Sequence, residues 1–189
     1  MKNPRASQTT LLTLLSIRYT RIILAIELVI GIIISYWLGV SVLNFSPDLS
    51  IPAINGLWAA ISAALVIQDK EREAFLAACF RVSGVFIGCV LVGAFVSAFS
   101  YTLLALGFAV FCTTIFFALI RRLETIRVAC VTVIVVFAVG SIHPEMSIWY
   151  NVLARFVESC VGIGVGLIAV GIFYPFRYFH RKTLERSNL

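Results

Sequence analysis

The chain has 189 residues, 61% hydrophobic and 13% charged, with a mean hydropathy of +1.02 and a formal net charge of +6. Soluble domains are about half apolar at most, so this composition excludes one and reads as a membrane protein. The basic excess does not indicate a nucleic-acid partner, because Lys and Arg flank apolar stretches and form no stripe with stacking aromatics; they read as topology signals and contacts to lipids, anionic ones above all.

Residues 1–21 form a basic N-terminal segment that lacks the compact apolar run and small-residue cleavage site of a secretory signal. Leu11, Leu12, Leu14, Leu15 and Ile17 lie there among polar residues, consistent either with an amphipathic interfacial helix or with a cytoplasmic extension of the first span. Six apolar stretches follow, at 22–40, 51–67, 74–97, 101–120, 126–142 and 149–174. Crossing a bilayer takes about 20 apolar residues in a helix, whereas barrel strands would show segments of about 10 alternating residues. The pattern therefore predicts an all-α, polytopic membrane protein: a domain of six transmembrane helices over 22–175 and a basic cytoplasmic tail over 176–189.

Lys2, Arg5, Arg18 and Arg21 precede the first span, Lys70 and Arg72 separate the second from the third, and Arg121, Arg122 and Arg127 lie where the fourth gives way to the fifth. Arg177, Arg181, Lys182 and Arg186 follow the sixth, and the intervening gaps carry no Lys or Arg. The positive-inside rule then places both termini in the cytoplasm. Cys79, Cys89, Cys112, Cys130 and Cys160 sit singly in apolar sequence without metal-ligand spacing and read as inert, buried thiols.

Four ionisable residues fall within the spans: Glu27, Arg81, Arg155 and Glu158. Charge at the bilayer centre is costly, so such residues face the bundle interior, where they pair or line a water-filled path. Glu27 and Arg81 enter from the same side to similar depth, which would permit an ion pair, and Arg155 and Glu158 are i and i+3 on one helix face. Their structural reading is a set of pairs fixing helix register. The functional reading is an anion site, since a guanidinium stays charged and its fork matches a carboxylate.

The third and sixth stretches share a pattern: Gly88 follows Arg81, and Gly162 follows Arg155, at i+7. With three spans per half, related halves would be inverted in the membrane, an arrangement common in transporters. Gly84 with Gly88, and Gly162 with Gly166, form two small-xxx-small pairs that predict close packing of spans three and six, within one chain in preference to between chains. Trp58, Trp37 and Tyr36 fit an aromatic belt near span ends, with substrate stacking by Trp58 as the functional alternative. No catalytic triad, zinc motif or Walker loop is present, so neither an enzyme nor a cofactor or metal is expected.

The run Leu57-Trp58-Ala59-Ala60-Ile61-Ser62-Ala63-Ala64-Leu65-Val66-Ile67-Gln68, followed after a charged turn by Phe80-Arg81-Val82-Ser83-Gly84-Val85-Phe86-Ile87-Gly88, resembles the FUSC family of fusaric acid resistance proteins and aromatic acid exporters. Ala154-Arg155-Phe156-Val157-Glu158-Ser159-Cys160-Val161-Gly162 and a closing Tyr174-Pro175 are similar to that family's later helix. Val85 departs from the pattern, which has Thr there, so a hydroxyl contact at that position is in doubt. Many members append a cytoplasmic domain or duplicate the six-span unit; a single unit implies a homodimer, as in the related plant malate channels.

The resemblance implies a multi-pass protein of the bacterial inner membrane that exports small organic, including aromatic, carboxylic acids. Arg81 and Arg155 would bind the carboxylate and Glu27 and Glu158 would hold or gate them, with energy from an ion gradient or the substrate's own gradient. A passive organic-anion channel and a non-transporting membrane scaffold are the alternatives.

Overall fold

A computed structural model describes the backbone of residues 4–43 and 52–187, and the side chains of Tyr19 and of residues 21–42 and 56–177. All regular structure among the described residues is helical: α1 Pro4–Leu43, α2 Pro52–Val66, α3 Glu71–Phe99, α4 Leu103–Leu119, α5 Leu123–Ile142 and α6 Ile148–Ser187. α1 is continuous through the N-terminal segment, so the leucine-bearing lead-in and the first apolar stretch form one helix. Likewise α6 continues past Pro175, whose missing N–H removes one helical hydrogen bond without ending the helix.

Local chemistry sets the boundaries. Pro52 occupies the first position of α2, where its missing N–H breaks no helical bond. Glu71 and Glu73 lie in the first turn of α3, where the helix dipole favours negative charge. Ser100 ends α3 at φ 54, and two residues later Thr102 caps α4, its hydroxyl accepting from the Ala105 N–H at 3.3 Å. α4 closes with Arg121 in the left-handed region at φ 56, a position that glycine usually fills.

Four helical segments are long and apolar enough to cross a membrane: Arg21–Val42, Glu71–Phe99, Leu123–Ile142 and Ile148–Arg177. α2 and α4 are apolar but only 15 and 17 residues long, about 22 and 26 Å against a hydrocarbon core of about 30 Å. The fold is thus a polytopic helical membrane protein. Its outer surface bears large apolar side chains such as Ile33, Trp37, Leu104 and Phe111, while Glu27, Ser62, Arg81, Thr113, Thr132, Asn151, Arg155, Glu158 and Ser159 are buried. Of the cysteines expected to be buried, Cys89 is, but Cys79 and Cys160 are exposed, because they lie on outward-facing sides of α3 and α6.

α3 and α6 run side by side at the centre, with the Cys89 thiol donating to the Val152 carbonyl at 3.6 Å and the Phe86 and Phe156 rings 5.8 Å apart edge to face. α1 and α2 pack on α6, whereas α4 and α5 pack on α3. The glycine faces are in use, but against different helices from those expected. Gly84 and Gly88 lie against Thr125, Val128, Ala129 and Thr132 of α5; Gly162 and Gly166 lie against Ala59, Ser62, Ala63 and Val66 of α2. Spans three and six meet instead through Val85, Phe86, Cys89, Gly93, Trp149, Val152 and Phe156. The reason is angular. Glycines four residues apart occupy one side of a helix, and in α3 and α6 that side faces away from the other central helix.

A Cβ at Gly88 would stand 2.8 Å from the Ala129 carbonyl, and one at Gly162 would press into the Ala59 carbonyl, backbone atoms that cannot yield alone. Gly107 and Gly164 face open space. Gly88→Ala and Gly162→Ala should each destabilise the bundle by about 1–3 kcal/mol or more, whereas Gly107→Ala and Gly164→Ala should be neutral or stabilising, gaining helix propensity. Thermal unfolding of the four variants in detergent reads the contrast.

Candidate functional site

Arg81 enters the bundle from α3 and is 2% exposed. Its Nη2 and Nε donate to the Ser62 Oγ at 3.2 and 3.4 Å, and its guanidinium lies 5.0 Å from the centroid of the Trp58 ring. Ser62 donates its own hydroxyl hydrogen to the Trp58 carbonyl at 2.9 Å, which leaves the oxygen lone pairs toward the arginine. One turn of α2 therefore supplies both the acceptor and the aromatic face. Among the described residues, no carboxylate stands within ion-pair distance of Arg81. A hydroxyl and a π face offset only part of the several kcal/mol that burying a cation costs.

Arg155 and Glu158 form the expected i, i+3 pair on α6, with Nη1 2.7 Å from Oε2 and both side chains buried. Cys89 opposite Val152, and Phe86 opposite Phe156, fix the antiparallel register of the central helices. Glu158 thus comes level with Ser83 and Gly84, roughly 3–5 Å along the bundle axis from Arg81. The seating of Gly162 on Ala59 and Ser62 brings Ser159 level with Trp58. Trp58 Nε1, Ser159 Oγ and Glu158 Oε1 are buried without hydrogen-bond partners among the described residues. A band of cationic, carboxylate, hydroxyl and indole groups from α2, α3 and α6 therefore occupies the middle of the bundle.

Glu27 is not part of that band. Its depth would permit a pair with Arg81, but its carboxylate lies 3.3 Å from Nη1 of Arg177, and Arg177 Nη2 donates to its Oε1 at 3.4 Å. Equal depth did not make Glu27 and Arg81 neighbours, because α1 packs on α2 and α6 and makes no contact with α3 among the described residues. Arg177, counted among the basic residues of the tail, is instead 2% exposed. It also donates to the Gln68 carbonyl at 3.0 Å and the Val170 carbonyl at 3.5 Å, tying α6 beyond Pro175 to α1 and to the α2–α3 turn. The sequence held one signal for it: Arg177 is the first basic residue after the sixth apolar stretch, at the end of the bundle where Glu27 enters.

His143 and Glu145 form a separate exposed pair on the α5–α6 loop, with Nδ1 3.0 Å from Oε1. The backbone N–H of Glu145 and the His143 ring hold this carboxyl below its ordinary range. Among the described residues, no group of three or more His, Cys, Asp or Glu gathers to hold a metal ion.

The model of one protein family, described as fusaric acid resistance protein-like, matches residues 22–169. That range contains the whole central band and Glu27, and stops short of Arg177. No curated protein and no solved structure matches the chain.

Glu27→Gln or Arg177→Gln alone leaves the other member of a buried pair unanswered and should cost about 3–5 kcal/mol. The double variant should recover part of that loss. A double-mutant cycle on thermal unfolding measures the coupling, and additive losses would show that the pair contributes nothing as a pair.

Proposed function

The chain belongs to the fusaric acid resistance protein-like family, whose members are transporter-type membrane proteins, and on that premise we propose that it exports small organic acids, aromatic carboxylates among them, across the bacterial inner membrane. One observation carries the reading. Arg81 is buried at the centre of the bundle against Trp58, with a serine hydroxyl and no carboxylate to answer its charge among the described residues. A substrate carboxylate would supply the missing countercharge through the guanidinium fork, and an aromatic body would find the indole beside it. Arg155 would meet the substrate from the other half, with Glu158 holding it in place and releasing it as the anion arrives. Glu27 acts at one remove in this scheme, securing α6 through Arg177.

All six helices cross the bilayer in this proposal, α2 and α4 reaching through local thinning of the lipid around short spans. Both termini are cytoplasmic, and the chain works as a homodimer. An inverted repeat of α1–α3 and α4–α6 relates the two halves. Supporting the repeat, Gly88 lies against Ala129 and Thr132 of α5 just as Gly162 lies against Ala59 and Ser62 of α2, with equivalent atoms in contact at both places. Exchanging the halves also preserves which helices touch. Such a repeat would let the glycine-lined seams slide in alternation around a fixed central site.

Arg81→Gln should lower the rate of aromatic-acid export from loaded proteoliposomes at least tenfold, about 1.4 kcal/mol in the barrier. Arg81→Lys should keep part of it, and Trp58→Leu should raise KM for aromatic more than for aliphatic acids. Undiminished transport by well-inserted Arg81→Gln protein would overturn the anion site. Voltage-driven anion current without proton movement would instead favour a passive channel.

A further inference from the structure

We infer that a groove between α3, α4 and α5, on the lipid-facing side of the bundle and apart from the central band, is a binding site for an anionic diacyl phospholipid. The groove encloses about 570 Å³ and is lined by Leu76, Phe80, Ile87, Phe116, Phe117 and Ile120, with Cys79, Ser83 and Thr125 among its remaining residues. Phe117, 2% exposed, forms its floor, while Leu76, Cys79, Ser83, Phe116 and Ile120 are open to the surroundings. A volume of this order matches small-molecule pockets of about 300–1,000 Å³, but the lining offers little hydrogen bonding. Ser83 already donates to the Cys79 and Phe80 carbonyls. An acyl chain is the occupant such walls fit.

Charge selects the headgroup. Arg122 stands at the mouth with its guanidinium 5.4 Å from the centroid of the Phe80 ring. The α4–α5 turn fixes it there: Arg121 takes a left-handed backbone at φ 56, and the Arg121 and Arg122 N–H groups donate to the Ala118 and Phe117 carbonyls at 3.1 and 2.9 Å. Arg121 and Arg127 are exposed at the same end, and Glu124 is the acidic residue between them. On this turn three guanidinium groups stand against one carboxylate, and at the start of α3 Lys70 and Arg72 offset Glu71 and Glu73, so the end of a groove that opens toward lipid keeps a basic excess that complements a phosphodiester at the membrane surface. None of these groups takes part in the central band, and α1 and α6 supply no wall of the groove.

Native mass spectrometry of the purified full-length protein tests the site, using phosphatidylglycerol, phosphatidylethanolamine with the same acyl chains, and glycerol phosphate as probes. Phosphatidylglycerol should be retained over the other two. Arg122→Gln should weaken its retention about fivefold, as expected for one interfacial basic residue, while Arg122→Lys should keep most of it. Phosphatidylglycerol should also slow maleimide labelling of Cys79, which lines the groove, and leave Cys160, exposed on α6, unaffected. Equal retention of the two lipids, undiminished retention by Arg122→Gln, equal capture of glycerol phosphate, or unprotected Cys79 would each overturn the assignment. Arg122 is exposed, so the variants preserve the buried core.

Discussion

A charge buried among apolar helices must find its counterpart inside the same bundle, because neither hydrocarbon nor bulk water can supply one there. The architecture answers that demand in different ways. Glu27 meets Arg177 across α1 and α6, Arg155 meets Glu158 within one helix, and Arg81 meets a serine hydroxyl and an indole face. The first two are ion pairs and require nothing further to balance their charge. The third balances the cation only in part, and it lies where α2, α3 and α6 converge.

Close helix approach makes these meetings possible. Gly162 lets α6 settle onto the Ala59 carbonyl, which sets the height of Glu158 and Ser159 against Trp58. Gly88 does the same for α3 on α5. With little hydrophobic drive between helices in lipid, such fit between small residues and facing backbone contributes much of the association energy. The glycines therefore act on the candidate site indirectly, by fixing the level at which its side chains stand. They form two seams, one on either side of the α3–α6 contact.

Much of this was legible in the residue pattern. Arg81, Arg155 and Glu158 stood out as charges in apolar sequence, and all three are buried; Trp58, read first as part of an aromatic belt, is buried as well, against Arg81, because α2 turns it inward. The i, i+3 spacing of Arg155 and Glu158 was sufficient to predict their pair, since both sit on one rigid helix. The Glu27 partner was not legible, because depth along a helix says nothing about which neighbour the helix faces. Arg177 was hidden by its company, a run of basic residues that reads as a solvated tail. The bounds of α2 and α4 were legible as well: Pro52–Val66 and Leu103–Leu119 fall within one or two residues of the apolar stretches 51–67 and 101–120.

By itself, the sequence determined that the protein is a helical membrane protein of the fusaric acid resistance protein-like family, and which of its residues carry charge into the apolar region. Composition and local spacing decide those properties, and both are present in the linear chain. Only the tertiary structure decided the partners: Glu27 with Arg177, Arg81 with Ser62 and Trp58, the glycine faces with α5 and α2. Those choices depend on the rotation of each helix about its axis and on which helices adjoin, quantities that packing sets once all the helices are assembled.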